Sequence, residues 1–483
     1  MLTPFGISVG PSGQGRPLEQ WGSTPWREGS SMRMGRGVRH AVVIGAGMAG
    51  LAAARVLADS CEAVTVIERD TFPRGSAPRA GAPQGHHVHG LLALGAEVFE
   101  GYFPGLRAEL EQAGAPVWDW GEGLCAVLPN GTPPPTPMGM PIQTFSRPFL
   151  EHALRRRVRA LEPVTLRDGL TVTGLRTTGP GKVVGVRVKD GDGDVEEEIA
   201  ADLVVDASGR SSHLPRWLAA LGLPSPRATT VDAQVGYASR TYSFPEGQAP
   251  PSWMGVLQPL RAPDFHKGCY AIQIENKALH VTLHGANGTQ LPHDDEDFLA
   301  YAKTLRGPIA DVIAPLTPTS AVRRYARTVN RRVAYHRLAR WPDGLIALGD
   351  SVCAFNPAYG QGMTVAALEA RLLEQMLRGR RTRTPLDGRA FQQRLARITA
   401  SSWLMATIPD RAWERSRTAW PVKAGNWFMN RLIDTVPHDP QLYTAFSGLF
   451  HMTAGPLTLA DPRLLSRVLI GPRPGTSLRA ATA

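Results

Sequence analysis

Two spacings of apolar residues organise this chain. Residues 40–44 form a short apolar run, 48–58 are rich in Ala and Leu, and 63–67 (AVTVI) alternate as a strand does. That order predicts strand, turn, helix and strand within about thirty residues. Leu150, Leu154, Val158 and Leu161 recur at helical spacing. They predict an amphipathic helix on which the arginines of "RRRVR" (155–159) are solvated faces. Beyond residue 225 the period shortens to two. "VDAQVGYASRTYSF" alternates, and "CYAIQIENKALHVTLHG" reads as a hairpin turning at Glu275-Asn276-Lys277. "PNGTPPPTPMGMP" (129–141) is too rich in proline for regular structure. Residues 385–483 bear Trp and Leu in helical stretches. No internal repeat is evident.

Composition narrows the class. With 43% hydrophobic and 20% charged residues over 483 positions, the chain has the make-up of a globular protein with ample core. The net charge is +11, carried by 47 arginines against six lysines, a bias that suggests the source's composition more than a polyanion surface. No aromatic-interleaved basic stretch or zinc-finger spacing points to nucleic acid. Cys61, Cys125, Cys269 and Cys353 form no CxxC pair, which suits a reducing cytoplasm, and no apolar run reaches eighteen residues. Residues 1–37 lack an apolar core segment, so they are read as a disordered extension rather than a secretory signal.

Chemistry enters with "VVIGAGMAGLAAARVLADSCEAVTVIERD" (42–70). Gly45 permits a tight turn, Gly47 lets backbone approach a pyrophosphate, and Gly50 lets helix and sheet pack closely. Met48 and Ala49 open the helix, whose N-terminus faces phosphate charge. Glu68, eighteen residues past Gly50, is placed to accept hydrogen bonds from an adenosine ribose. A glycine-rich turn that merely packs the unit would leave Glu68 unexplained. The stretch alone does not separate FAD from NAD(P).

A later segment does. "GLIALGDSVCAFNPAYGQGMTVAALEA" (344–370) resembles the GD motif of the group A flavoprotein monooxygenases, the FAD-dependent aromatic hydroxylases and their relatives. The resemblance implies that Asp350 binds the ribityl chain. It also implies that a helix starting near Met363, after the Pro357 turn, offers the amides of Gly362, Met363 and Thr364 to the flavin N1–C2=O edge. The family's Ala-Ala-His is replaced here by Ser351-Val352-Cys353. "ADLVVDASGRSSHLPRW" (201–217) resembles the DG motif, with Asp206 near the pyrophosphate, although a plain turn role for Asp206 stays open. Arg79, in "PRAGAPQGHHVHG", matches the family arginine that reaches the FAD phosphates. Arg147 in "TFSRPFLEHAL" matches another that contacts FAD, or simply starts a helix. The wording after Arg79 is similar to a subgroup that includes bacterial polyether-type polyene epoxidases. His86, His87 and His89 lie in a glycine-flanked loop with no Cys or carboxylate cluster to complete a metal site.

The implied fold is α/β, with a Rossmann-like FAD-binding domain (38–225 plus 336–384) interleaved with an antiparallel-sheet substrate domain (226–335) and a helical C-terminal region (385–483). The implied activity is that of an FAD monooxygenase. It would use a flavin C4a-hydroperoxide to epoxidise or hydroxylate a polyketide- or terpenoid-like organic substrate, free or carrier-bound. O2 is the co-substrate, and electrons come from NAD(P)H, directly or through a flavin reductase that supplies reduced flavin. A cytoplasmic location, without nucleic acid or integral membrane segment, is expected. The alternatives are a flavin-dependent halogenase, a flavin-dependent reductase or dehydrogenase, and a non-catalytic flavin-binding partner. A halogenase would carry a WxWxIP segment and a lysine near the flavin, but "VWDWGEG" (117–123) lacks the Ile-Pro and no lysine precedes Lys182.

Overall fold

A computed structural model describes residues 38–471, apart from 180, 192, 194–195, 248, 379–385 and 415–419. The expected N-terminal extension lies outside the described residues. The first apolar run, residues Val38–Ile44, is the central strand of a five-stranded parallel sheet. Across that sheet lie Leu345–Ala347, Leu203–Asp206, Val38–Ile44, Cys61–Ile67 and Val164–Arg167. Burial on both faces explains the nearly unbroken Val/Ile/Ala/Leu runs. Ile44 pairs with Ile67 and with Asp206, and Asp206 pairs with Ala347. Four strands therefore end level, and the segments that follow them leave the sheet along one line. Ligands of open α/β sheets bind at such carboxyl ends.

Two helices cover one face of this sheet. Met48–Ala58 packs against Gly362–Leu377, and the buried Ala52, Ala53, Ala366 and Ala367 keep the pair close.

The period-two region forms a second sheet. Its order is Thr317–Pro318, Gly236–Ser243, Ala278–Gly285, Lys267–Ile274, Gly255–Gln258 and Leu124–Ala126. Strands Lys267–Ile274 and Ala278–Gly285 pair antiparallel around Glu275–Lys277, the turn that the sequence pattern predicts. The edge strand Leu124–Ala126 comes from the stretch that sequence assigned to the FAD-binding part, and pairs in parallel with Gly255–Leu257. Alternation sorts the two faces. Ala238, Cys269, Ala271, Leu279, Val281 and Leu283 pack on the helices Asp295–Lys303 and Ile309–Ile313. The opposite face carries Tyr237, Ser239, Tyr270, His280, Thr282 and His284.

The C-terminal helix Gly388–Arg411 lies against Gly362–Leu377, and its Gln392 Nε2 donates to the Ala347 carbonyl at 2.8 Å. Helices Trp420–Thr435, Pro440–Phe450 and Pro462–Ile470 close on the edge strand through Ala126, Leu128, Leu432, Leu442 and Val468. None of the helices among the described residues is long and apolar enough to cross a membrane.

The helix of the Leu150–Leu154–Val158 stripe spans Arg147–Arg159. Its arginines are not all solvated, however. Arg155 is 4% exposed, donates to the carbonyls of Pro73 and Gly75, and lies over the Phe72 ring. Arg147, Glu151 and Arg155 follow one another at i, i+4 and i+8, which sets them in a second stripe turned toward the protein.

Candidate functional site

A cleft of about 280 Å³ runs along the level strand ends. Gly45, Gly47, Met48, Ala49, Glu68, Arg79, Arg147, Asp350, Pro357, Gly362 and Met363 all line it. Segments more than 300 positions apart in sequence thus meet in one groove. The three glycines of the first motif act differently. Gly45 has φ +98°, and a Cβ there would sit 2.6 Å from the Ala207 carbonyl oxygen. A Cβ on Gly50 would lie 1.9 Å from the Gly45 carbonyl oxygen, so Gly50 seals turn to helix and does not reach the cleft. A Cβ on Gly47 would meet no atom within 4 Å. At Gly47, only a molecule in the groove would need the missing side chain.

At this end the charges form a buried network. Glu68 Oε2 accepts the Ala46 N–H at 2.8 Å, and Oε1 accepts the Asp70 N–H at 3.1 Å. Arg79 lines the groove, yet its guanidinium is enclosed by Glu68 (3.1 Å), Asp70 (3.1 Å) and Glu151 (2.6 Å). Burial alone would lower its pKa, but Glu151, Glu68 and Asp70 outweigh burial and raise it. Arg79 is therefore a charge already matched, not a free phosphate ligand. Glu151, 4% exposed, also meets Arg147 at 3.5 Å and Arg155 at 3.8 Å. Arg147 keeps one buried donor, its Nε, without a partner. Of the four arginines that line the cleft, sequence reading found Arg79 and Arg147 but not Arg69 or Arg210, and it missed the carboxylate that joins Arg79 to Arg147.

At the far end, Asp350 opens on the groove with its side chain 42% exposed and Arg210 Nε 3.5 Å away. Arg210 in turn donates to the carbonyls of Val329 and Phe355. The turn before Asp350 is fixed from behind, because Glu369 Oε2 accepts the Gly349 N–H at 2.5 Å. Burial pushes the Glu369 carboxyl up to about 8, against the opposing pull of that N–H. The helix Gly362–Leu377 starts at the groove, and no side chain caps it. Its first intrahelical bond runs from the Val365 N–H to the Gln361 carbonyl, so the amides of Gly362, Met363 and Thr364 have no acceptor within the helix.

Two candidates point elsewhere. Asp206 is fully buried and absent from the cleft wall, with its oxygens accepting from the Ser208 N–H, the Ser208 hydroxyl and the Ser212 hydroxyl. It closes the strand-end turn, the role that the DG resemblance had left open as its alternative. Thr364 is also fully buried and does not line the cleft, unlike Gly362 and Met363 before it.

The histidine loop lies over the polar face of the second sheet. His87 Nδ1 and Ser239 Oγ share a hydrogen bond at 2.7 Å, and Ser239 Oγ meets Thr282 Oγ1 at 2.6 Å. His89 Nδ1–H donates to the His87 carbonyl, and His280 Nε2–H donates to the His86 carbonyl. Burial lowers His87 and His89 to about 3. Among the described residues no three His, Cys, Asp or Glu side chains form a cluster able to hold a metal.

The groove fits FAD on its own features. It offers open backbone at Gly47, an acid at Glu68, the Arg147 guanidinium, a part-exposed carboxylate at Asp350 and the unclaimed amides of Gly362 and Met363 at the start of a helix. Comparison with known proteins agrees. Residues 41–215 match the family model of FAD dependent oxidoreductases. The chain is 34% identical over 435 residues to Protein Rv3254 of Mycobacterium tuberculosis (strain ATCC 25618 / H37Rv), spanning 87% of this chain and 91% of that one. It is 25% identical over 382 residues to a kynurenine 3-monooxygenase of Salinispora tropica, spanning 71% and 74%. Among solved structures, the flavin-dependent brominase Bmp2 aligns with a TM-score of 0.59 at 18% identity, over 84% of this chain and 93% of that one.

Proposed function

The chain belongs to one family with Protein Rv3254, and its residues 41–215 match the FAD dependent oxidoreductases; on that basis we propose that it is a monooxygenase acting on a neutral, alkene-bearing substrate of polyketide or terpenoid type. The observation that carries this reading is the helix start at Gly362–Thr364, which ends the groove with unclaimed N–H donors beside Asp350. When bound and reduced, FAD activates O2 and supplies one oxygen atom to substrate while the other leaves as water.

The rest falls to the chain's own residues. The Gly45–Ala49 turn and Arg147 hold the diphosphate, Glu68 the ribose, and Asp350 the ribityl hydroxyls. The helix-start amides favour negative charge at the flavin N1–C2=O edge. Asp206, spent on its own turn, is left out of this set. The loop residues Val88, His89 and Gly90 line the groove and help to exclude water from it, held from behind by the His87–Ser239–Thr282 hydrogen bonds on the sheet face.

Epoxidation is favoured over phenol hydroxylation because the latter needs a base to ionise the substrate. Burial holds His89, the loop histidine on the groove wall, near 3, a weak base at neutral pH, which supports this preference. A kynurenine 3-monooxygenase among the relatives supports oxygen insertion as the reaction class. Against a halogenase stand two features. No lysine lines the groove, and Trp118 and Trp120 stack at 6.0 Å, with Trp120 in turn on Phe450 and His451, as packing residues.

The test combines NAD(P)H oxidation, O2 uptake and product mass, with and without an added flavin reductase and with and without bromide or chloride. A product heavier by one oxygen, independent of halide, is expected. A halogenated product would move the chain to the halogenases, and turnover without O2 uptake would make it a dehydrogenase.

A further inference from the structure

The segment Phe355–Gln361 leads into the helix start, and its Phe355, Asn356, Pro357, Gly360 and Gln361 all line the groove. What holds this segment in place comes from far away. Asp410, in the last turn of the helix Gly388–Arg411, is 2% exposed and does not line the groove. Its Oδ1 accepts the Tyr359 hydroxyl at 2.6 Å, and its Oδ2 accepts Asn356 Nδ2 at 3.0 Å and Asn330 Nδ2 at 2.5 Å. Asn330 is not a bystander, since its Oδ1 accepts the Asn356 backbone N–H at 2.8 Å. From the sheet side, the Tyr237 hydroxyl donates to Asn356 Oδ1 and the Tyr270 hydroxyl donates to the Ala358 carbonyl. Every donor on Asp410 thus belongs to the segment or to the residue that clamps it.

We propose that Asp410 is a positioning residue for the cofactor. It fixes the turn at Asn356–Gly360, and through it the register of the Gly362–Thr364 amides against the flavin, without touching FAD itself. This rests on the reading of that helix start as the flavin edge. The chemistry of the site explains the residue type. Three donors converge on one point in a dry interior, and only a carboxylate supplies acceptors to all three without adding a donor of its own. An Asn at 410 would turn an N–H group toward donors, so the shape would persist while the network would not. Because Asn356 lies six residues before Gly362, with a one-turn helix and a left-handed Gly360 (φ +65°) between them, a displaced Asn356 shifts the helix start.

Two probes separate this role from general damage. FAD spans the whole groove, whereas ADP occupies only the end formed by Gly45–Ala49 and Glu68. Asp410→Asn is expected to weaken FAD binding to apoprotein by about tenfold or more while ADP affinity stays within about twofold of wild type. Tyr359→Phe removes one of the three donors, and a smaller loss, again confined to FAD, is expected. That single change serves if Asp410→Asn does not fold. Unchanged FAD affinity in Asp410→Asn, or equal losses for FAD and ADP in either variant, would overturn the proposal. A wild-type chain that binds ADP but not FAD would instead bring down the flavin-edge reading beneath it.

Discussion

Replacing Gly362 tests the flavin edge most directly, because the protein itself does not need that glycine. It is the first residue of its helix, and a Cβ built there meets no neighbouring atom within 4 Å. Alanine is a better helix former than glycine by up to about 1 kcal/mol, so Gly362→Ala leaves the apoprotein as stable as before or slightly more so. A methyl group directed into the groove would nevertheless push a flavin ring away from the amides of Met363 and Thr364. Two hydrogen bonds to a neutral carbonyl are together worth about 1–3 kcal/mol, which predicts FAD affinity lower by roughly five- to 150-fold. Bonds to the anionic reduced ring are stronger, by about 1–1.5 kcal/mol each, so the reduced form loses more. The bound potential should therefore fall by about 40–60 mV. Gly362→Val should do the same more severely. The assays are thermal melting of apoprotein, FAD titration and potentiometry of the bound flavin. Normal affinity and potential in both variants would refute the assignment, whereas a destabilised apoprotein would refute the claim that the space is open.

Gly50→Ala should behave in the opposite way, losing about 1–3 kcal/mol or more of apoprotein stability because its Cβ would sit 1.9 Å from a backbone oxygen. An unchanged melting temperature would sink that reading. Glu151→Gln leaves Arg79, Arg147 and Arg155 around an uncharged amide, so it should cost about 3 kcal/mol of stability and weaken FAD and ADP alike. Selective loss of FAD would contradict it. Burial lowers His87, His89, His284 and His451 to about 3 and His280 to about 4, so the unfolded chain, with histidines near 6.5, binds more protons as pH falls. Glu369, Asp206 and Asp410 are shifted upward by burial and offset part of this. Stability to urea should accordingly drop between pH 7 and pH 5, and a midpoint that holds or rises over that interval would contradict it.

The parts of the fold legible in the sequence are those whose cause is local. Gly45 needs its positive φ, Gly50 its missing Cβ, and the hairpin at Glu275–Lys277 its flanking alternation, each visible within a short window. The order of the GD segment likewise anticipated a groove reaching Asp350 and Gly362. The supporting carboxylates were hidden because their partners are distant in sequence. Asp410 lies 54 residues from Asn356 and 80 from Asn330, and Arg79 lies 72 from Glu151. Only a signal on one helix could have been read. The Arg147–Glu151–Arg155 spacing marks an inward stripe beside Leu150 and Leu154, and treating the whole basic run as solvated overlooked it.

That network also bears on how the groove would hold a diphosphate. Arg79, Arg147 and Arg155 face Glu68, Asp70 and Glu151, and Arg69, also on the groove, lies 4.0 Å from Asp70, so four arginines meet three carboxylates and most of the positive charge at this end is already matched. A cofactor with two phosphate charges gains only part of its hold there from long-range attraction. The rest is directional: the amides at the start of the helix Met48–Ala58, and the planar guanidinium of Arg147 on the groove wall. The far end repeats the arrangement, since Asp350 is faced by Arg210 while the amides of Gly362–Thr364 stay unclaimed. In the proposed complex both negative regions of the cofactor thus rest on N–H groups at helix starts, with ion pairs behind them holding those starts in place. The strength of binding then depends on the placement of the two helices more than on the basicity of the chain. This makes buried carboxylates that never meet the cofactor, such as Glu151, Glu369 and Asp410, the side chains on which its binding turns.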